Sequence, residues 1–470
     1  MDHLKKKINL KNIFLSTTPG LISIFLTFIS LPIYLTFLHP ITYSSFLISH
    51  IFLSLSLVFN FNIGKVASIK IQNKDKDDKS TIIINALFLS LLIALTFSII
   101  ISFFLSKIFS HEQEIDFFNI FFALILSILY INTESICKGL GKFKIIALSN
   151  LLFYGFSISA PSFFVWIHNK TKFVNKIDLF EISIIFKTIS LFLILISITN
   201  YLFVKKKISK KIFMTFKDQS FWMTLTNSYN QIFDYLDKYL IKLFLGPIIF
   251  INYSVAQQVA SKLQIFSGAI TSVMLPKLAS QTTLKNKSKV LNLHLILFYI
   301  SISLFLIVFS DYFDDILKWW LPTSDKIKVN SDFFQLFNIF LALTFVACKS
   351  QIIISLYEAN RITKVNSIFE TITLIPFGLL LVWFISKENI LLICYLILSK
   401  EILLFLIRSY YIKEYMISYK FYILSIFIFL LFWIIKIYEM DEFIILSKIV
   451  FFISLMILTN DTFKELQKKN

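Results

Sequence analysis

Charge is scarce in this sequence: Asp, Glu, Lys and Arg make up 16% of its 470 residues, well below the roughly 25% usual for soluble domains. With 57% hydrophobic residues and a mean hydropathy of +0.77, a soluble multidomain chain is excluded. Cysteine is limited to Cys137, Cys348 and Cys394, with no paired spacing, so a disulfide framework and a thiolate metal site are both ruled out and the three are expected to pack. The chain has only 8 glycines and 8 prolines, and helix bending is expected at prolines such as Pro19, Pro32 and Pro161. Catalytic signatures are missing as well. There is no P-loop, no H-E-x-x-H and no G-x-S-x-G, and the 6 histidines are scattered, so no enzyme, cofactor or metal is expected. His50, inside an apolar run, reads as a packed or lumen-facing polar residue.

What is abundant is long apolar sequence, with 55 phenylalanines among the Leu and Ile. Runs of about 20 residues, the length that crosses a bilayer core as a helix, recur from end to end. They are expected near 13–37, 42–63, 81–105, 117–136, 145–167, 181–203 and 219–245, then 250–275, 290–310, 333–356, 366–386, 390–407, 421–437 and 443–460. The fold class expected is an all-α polytopic membrane protein of about fourteen transmembrane helices. A membrane barrel would show short alternating segments instead.

The net charge of +18 reports topology rather than nucleic-acid binding. Most lysines and arginines outside the runs fall in clusters on the N-terminal side of the membrane, such as Lys205, Lys206, Lys207, Lys210 and Lys211, or Lys464, Lys468 and Lys469. By the positive-inside rule both termini are expected in the cytoplasm, with an even helix count. The opposite loops carry acids, including Glu112, Glu114, Asp116, Asp314, Asp315, Glu439, Asp441 and Glu442. The basic start at Lys5, Lys6 and Lys7 precedes a run too long for a cleaved signal peptide, so it is expected to stay as the first helix.

An internal repeat sets the expected domain plan. The first hairpin turns at Phe37-Leu38-His39-Pro40 and returns through Ile63-Gly64-Lys65-Val66-Ala67-Ser68; the seventh and eighth helices turn at Phe244-Leu245-Gly246-Pro247 and return through Leu275-Pro276-Lys277-Leu278-Ala279-Ser280. Two copies pointing the same way imply two six-helix lobes related by an axis along the membrane normal. They are expected at 1–207 and 208–410, with two added helices and a cytoplasmic tail at 411–470.

An ionisable group in the hydrocarbon region costs on the order of 2.5 to 3.5 kcal/mol, so each should face a cavity or a partner. The seventh helix holds most of them: Asn227, Gln231, Asp234, Lys238 and Lys242 recur every three or four residues on one face, with Asn230 and Asp237 on its flank. This stripe is expected to line a water-filled cavity whose lysines attract an anionic head group. Tyr253, Gln257, Gln258 and Lys262 add a polar edge on the eighth helix. Glu134 with Lys138 reads as an interfacial pair. Lys349 and Glu370 are deep but of unassigned facing, and Lys187, Lys400 with Glu401, Lys436 and Lys448 read as helix-end or inter-helix pairs. With no nucleotide motif, energy must come from an ion gradient or the membrane potential, the latter about 2.3 kcal/mol per charge per 100 mV.

The stretch Asp237-Lys238-Tyr239-Leu240-Ile241-Lys242-Leu243-Phe244-Leu245-Gly246, with Tyr253-Ser254-Val255-Ala256, Leu275-Pro276-Lys277-Leu278 and Lys138-Gly139-Leu140-Gly141-Lys142, resembles the Wzx-type polysaccharide repeat-unit flippases of the multidrug/oligosaccharidyl-lipid/polysaccharide exporter (MOP) superfamily. The resemblance implies a MATE-like pair of lobes that close alternately around a cationic cavity. It also implies a substrate, an oligosaccharide on undecaprenyl pyrophosphate, moved from the cytoplasmic to the periplasmic leaflet of the inner membrane for O-antigen or another surface polysaccharide. Implied partners are this lipid-linked oligosaccharide, membrane lipids, a polysaccharide polymerase and a chain-length regulator. The first two helices depart from the pattern in carrying almost no charge, so the C-terminal lobe would supply most of the cationic lining.

Two other readings fit parts of the sequence. A drug or cation exporter of the same superfamily would favour unpaired buried carboxylates, whereas here the buried lysines at least match the acids. A membrane polysaccharide polymerase would usually carry a long catalytic outer loop, and the longest outer segment runs only from Asp311 to Asp332.

Overall fold

The computed structural model describes residues 10–53, 56–71, 76–109, 117–171, 179–202, 210–281, 283, 285–295, 298, 312–321 and 331–416, with isolated positions between 423 and 434. The described residues are helical, and no strand occurs among them. Eight of the helices are long and apolar enough to cross a membrane. They match the expected first, third to sixth and tenth to twelfth runs, from Thr18–Phe37 to Ile390–Tyr411. The fourteenth run, and most of the ninth and thirteenth, lie outside the described residues, so the expected fourteen is not counted here.

The chain divides into two compact units, Met1–Tyr239 and Leu240–Asn470. In the first, α1 (Leu10–Phe37), α2 (Pro40–Leu53), α3 (Ser56–Phe59), α4 (Ile63–Ile71), α5 (Lys76–Phe109) and α6 (Phe117–Gly139) precede α7 (Phe143–Asn150), which runs through a π-helical turn at Leu151–Phe156 into α8 (Ser157–Thr171). Then come α9 (Leu179–Leu202) and α10 (Lys210–Leu245), whose last residues pass into the second unit. There follow α11 (Pro247–Ser261), α12 (Gln264–Ser280), α13 (285–295), α14 (Phe313–Trp320), α15 (Ser331–Ala359), α16 (Thr363–Ile385) and α17 (Ile390–Tyr411). In unit one α6 packs against α4, α5 and α9, and α1 against α8; in unit two α15 packs against α11, α12 and α17.

The two expected hairpin turns have a common build. Each helix ends and the next begins on a proline, Pro40 or Pro247, a residue suited to the first helical turn because its missing N–H has no partner there anyway. Gly246 supplies the reversal with φ 86. A further repeat lies at the ends of α6 and α15. After α6 the N–H groups of Gly141 and Lys142 donate to the carbonyls of Lys138 and Cys137, both at 3.0 Å; after α15 those of Arg361 and Ile362 donate to Glu358 at 3.2 Å and Tyr357 at 3.0 Å. Both are Schellman caps around a left-handed residue, Gly141 at φ 74 and Arg361 at φ 59.

The second and eighth expected helices are both interrupted. In the second, Phe61 and Asn62 take left-handed angles, φ 52 and 50, and the freed backbone groups are met from other helices. Asn132 of α6 donates to the Asn60 carbonyl at 3.0 Å and accepts from the Gly64 N–H at 2.8 Å. Ser220 of α10 donates to the Phe61 carbonyl, and Asn62 donates to Thr224 at 3.5 Å. Asn132 and Ser220 thus satisfy backbone that lipid could not hydrogen-bond, while Thr224 accepts from the Asn62 side-chain amide.

Candidate functional site

The eighth-helix interruption is the more telling, because it carries a cation. Between α11 and α12 the N–H groups of Lys262, Leu263, Ile265 and Phe266 donate three residues back, to Val259, Ala260, Lys262 and Leu263, each at 3.2 Å. This short 3₁₀ stretch interrupts a long apolar segment, an irregularity that often marks a functional hinge. Discontinuous transmembrane helices recur where transporters hold polar substrates. Lys262 is half-buried at this break, and among the described residues no carboxylate holds its ammonium. Gln258 and Lys262 lie one turn apart on one face, with Ser261 bonded back to the Gln258 carbonyl at 2.9 Å and half-buried Gln257 beside it.

Of the expected stripe on α10, the backbone is helical throughout, while the side chains of Asn227, Gln231 and Asp234 lie outside the described residues. Asp237 is 1% exposed, and its carboxylate accepts from the Lys238 backbone N–H at 2.5 Å. Lys238 and Lys242 are half-buried. Asp237 and Lys238 belong to the first unit, Lys242, Gln257 and Lys262 to the second.

Several buried groups have environments that their sequence positions did not suggest. Lys187 reads as a helix-end or inter-helix pair, yet it sits well inside α9, 5% exposed. Its ammonium meets a hydroxyl, Ser127 at 3.5 Å, and the Phe153 ring, 5.3 Å from the centroid, and no carboxylate among the described residues. Arg408, which the expected twelfth run stops just short of, is 1% exposed. It donates to Asn366 at 2.8 Å, Ser350 at 2.6 Å and the Glu370 carboxylate. Glu370 thus gains a definite partner. Glu134 pairs with Lys138 at 2.8 Å and also accepts from Asn150 at 2.9 Å. Lys400 and Glu401 approach to 3.7 Å, Lys349 lies over the Phe345 ring at 4.4 Å, and Lys436 and Lys448 lie outside the described residues. The three cysteines are buried and none is in a disulfide.

Residues 9–282 match the family described as polysaccharide biosynthesis protein. The chain belongs to that family. A member-like relative is a candidate O-antigen transporter of Shigella flexneri, 25% identical over 182 residues, 38% of this chain and 43% of the relative, so the match spans less than half of that protein's length. Among solved structures, a MOP superfamily transporter from Pyrococcus furiosus aligns with a TM-score of 0.62 at 14% identity, covering 87% of this chain and 99% of the other. A Vibrio cholerae MATE transporter aligns at 0.60 with 11% identity, over 86% and 95%. This polysaccharide biosynthesis protein therefore has the MATE-like fold of the MOP superfamily and is a multi-pass membrane protein.

Glu134 and Glu370 each already hold a cation, whereas Lys238 and Lys262 keep amines that no described carboxylate neutralises. No group of three or more His, Cys, Asp or Glu that could hold a metal occurs among the described residues.

Proposed function

We propose that this protein is an inner-membrane flippase that carries undecaprenyl-pyrophosphate-linked oligosaccharide repeat units from the cytoplasmic to the periplasmic leaflet for O-antigen or a related surface polysaccharide. It acts as a transporter rather than an enzyme. Two six-helix lobes, 1–207 and 208–410, open alternately to each side, both termini are cytoplasmic, and the cycle is driven by an ion gradient or the membrane potential. Asn227, Gln231, Asp234, Asp237, Lys238, Lys242, Gln257 and Lys262 line the path. The released units pass to a polymerase and a chain-length regulator. The observation that carries this reading is the family match over residues 9–282. The amine of Lys262 at a helix break, held by no carboxylate among the described residues, supports the choice of an anionic head group. In the same way, Glu134 and Glu370, already held by cations, count against a cationic drug as cargo.

Deleting the gene tests the proposal. Complete single repeat units should accumulate on the cytoplasmic leaflet while surface polysaccharide is lost. Units that reach the periplasm unpolymerised would instead identify a polymerase. At the residue level, Lys262→Ala should lower export about tenfold or more, since a charge-assisted hydrogen bond is worth about 1.5–3 kcal/mol. The protein should still insert at normal levels, because removing an amine that no described carboxylate holds strands no partner among the described residues. Export at wild-type rate in Lys262→Ala would remove Lys262 from the path.

A further inference from the structure

The outer segment between the ninth and tenth expected helices holds a short helix, α14, that the proposed path does not use. It stands at the head of a membrane helix. Lys318 lays its ammonium over the Phe334 ring, 5.3 Å from the centroid. Phe334 lies in the first turn of α15, whose stretch long and apolar enough to cross a membrane begins at Asp332. Leu317 and Leu321 are 2% and 1% exposed, so α14 is packed against the protein on one side. Yet Tyr312 is 59% exposed, Ile316 36% and Trp319 86%, the last the highest value of any described large apolar side chain.

Successive helical residues are turned by about 100°, which sorts α14 into four sides. Tyr312, Ile316 and Trp319, spaced by four and three, share one exposed apolar side. Leu317 lies roughly opposite, against the protein. Asp315 and Lys318, both exposed, fall on a third side between these two, and half-buried Trp320 falls on the fourth, away from the charges. A helix lying flat on a membrane surface beside a transmembrane helix meets four surroundings in this same order: water above, lipid outward, hydrocarbon below and protein inward. Tyr and Trp also suit that boundary chemically, each an apolar ring with a polar tip. A protein partner seated on the three side chains would not require the charged side to stand at right angles to them, whereas a lipid surface does.

We propose that α14 is an interfacial helix, seated by Tyr312, Ile316 and Trp319 in the boundary between phospholipid head groups and acyl chains, with Asp315 and Lys318 in the water above. It thereby holds the head of α15, which packs on α11, α12 and α17, at a set depth in the bilayer. The seat needs no assumption about cargo. Its place in the periplasmic leaflet rests on the cytoplasmic termini of the reading above.

The test attaches a nitroxide to Trp319→Cys and, separately, to Asp315→Cys in the full-length protein in phosphatidylethanolamine and phosphatidylglycerol nanodiscs. Cys137, Cys348 and Cys394 are buried and should stay unlabelled. Molecular oxygen, which concentrates in lipid, should relax the label at 319 more than a water-soluble nickel chelate does, and the preference should reverse at 315. A second readout needs no label: phospholipids brominated high on the acyl chain should quench the tryptophan fluorescence of the wild type more than those brominated near its end, and Trp319→Phe should remove much of that difference. A 319 label that favours nickel as strongly as the 315 label would overturn the proposal and leave the face open to a protein partner. A 319 label that neither reagent reaches would overturn it too, in favour of a second copy covering the face. A membrane-impermeant thiol reagent that reaches Asp315→Cys from the cytoplasmic side only would refute the topology of the proposed function and leave the lipid seat standing.

Discussion

An Arg408→Leu variant should lose most of its folded protein, and replacing Glu370 by leucine as well should recover much of it. Arg408 and Glu370 are each 1% exposed, and Arg408 also holds Asn366 and Ser350, while its own carbonyl accepts from Tyr357 at 3.0 Å. Removing the guanidinium alone leaves a carboxylate buried among α15, α16 and α17 with no cation, a loss of about 3–5 kcal/mol. Exchanging both partners for apolar residues removes the stranded charge, and such exchanges are often neutral. Asn366 and Ser350 would still be short of a partner, so recovery should be incomplete. Thermal unfolding of the purified protein and its yield in the membrane measure both effects. A double variant as unstable as the single one would mean that the cluster is not an ion pair in energetic terms.

The second large effect is expected at Gly64. A Cβ there would lie 2.2 Å from the Asn132 carbonyl oxygen and 2.6 Å from the Asn132 Cα, and backbone cannot swing aside as a flexible side chain can. Gly139 approaches Ser68 in the same interface, with 2.7 Å to its Cα. Small residues let transmembrane helices come this close, and the closeness lets Asn132 bridge the interrupted second helix. Gly64→Ala should therefore destabilise by at least about 1–3 kcal/mol, the usual cost of overpacking, and disturb the Asn132 bridge. Gly378, in α16 with open space around its would-be Cβ, supplies the control: Ala there should be neutral or stabilise by up to about 1 kcal/mol, as helix propensity predicts. Equal effects at the two glycines would show that α4 and α6 do not approach as described.

Much of the architecture is legible in the sequence, because a bilayer demands long apolar helices and only Gly, Pro and charge punctuate them. The Gly246-Pro247 turn is an example. The break at Asn60–Asn62 is not, since it contains neither glycine nor proline. Two left-handed residues are held there by Asn132, Ser220 and Thr224, which lie far away in the chain. Arg408 escaped for a different reason: hydropathy ends the twelfth run where charge begins, whereas the helix continues to Tyr411 because Glu370 and Asn366 receive the guanidinium. Lys187 stood in plain view, but its sequence neighbours do not reveal that Ser127 and Phe153 come to meet it. For the α10 stripe, Asp237 proves more deeply buried than Lys238 or Lys242, as its flanking position on the helix allows.

The central claim is movement of a lipid-linked sugar between leaflets, and reconstitution measures it most directly. Purified protein in proteoliposomes would receive undecaprenyl-pyrophosphate-linked repeat units extracted from the deletion strain, and the fraction in each leaflet would be followed with a glycosidase that cannot cross the bilayer. The flippase reading predicts that units shielded in the inner leaflet become accessible at a rate that depends on the protein and falls in Lys262→Ala. Units that stay shielded for as long as in protein-free vesicles, under an imposed potential and an imposed pH gradient alike, would contradict it.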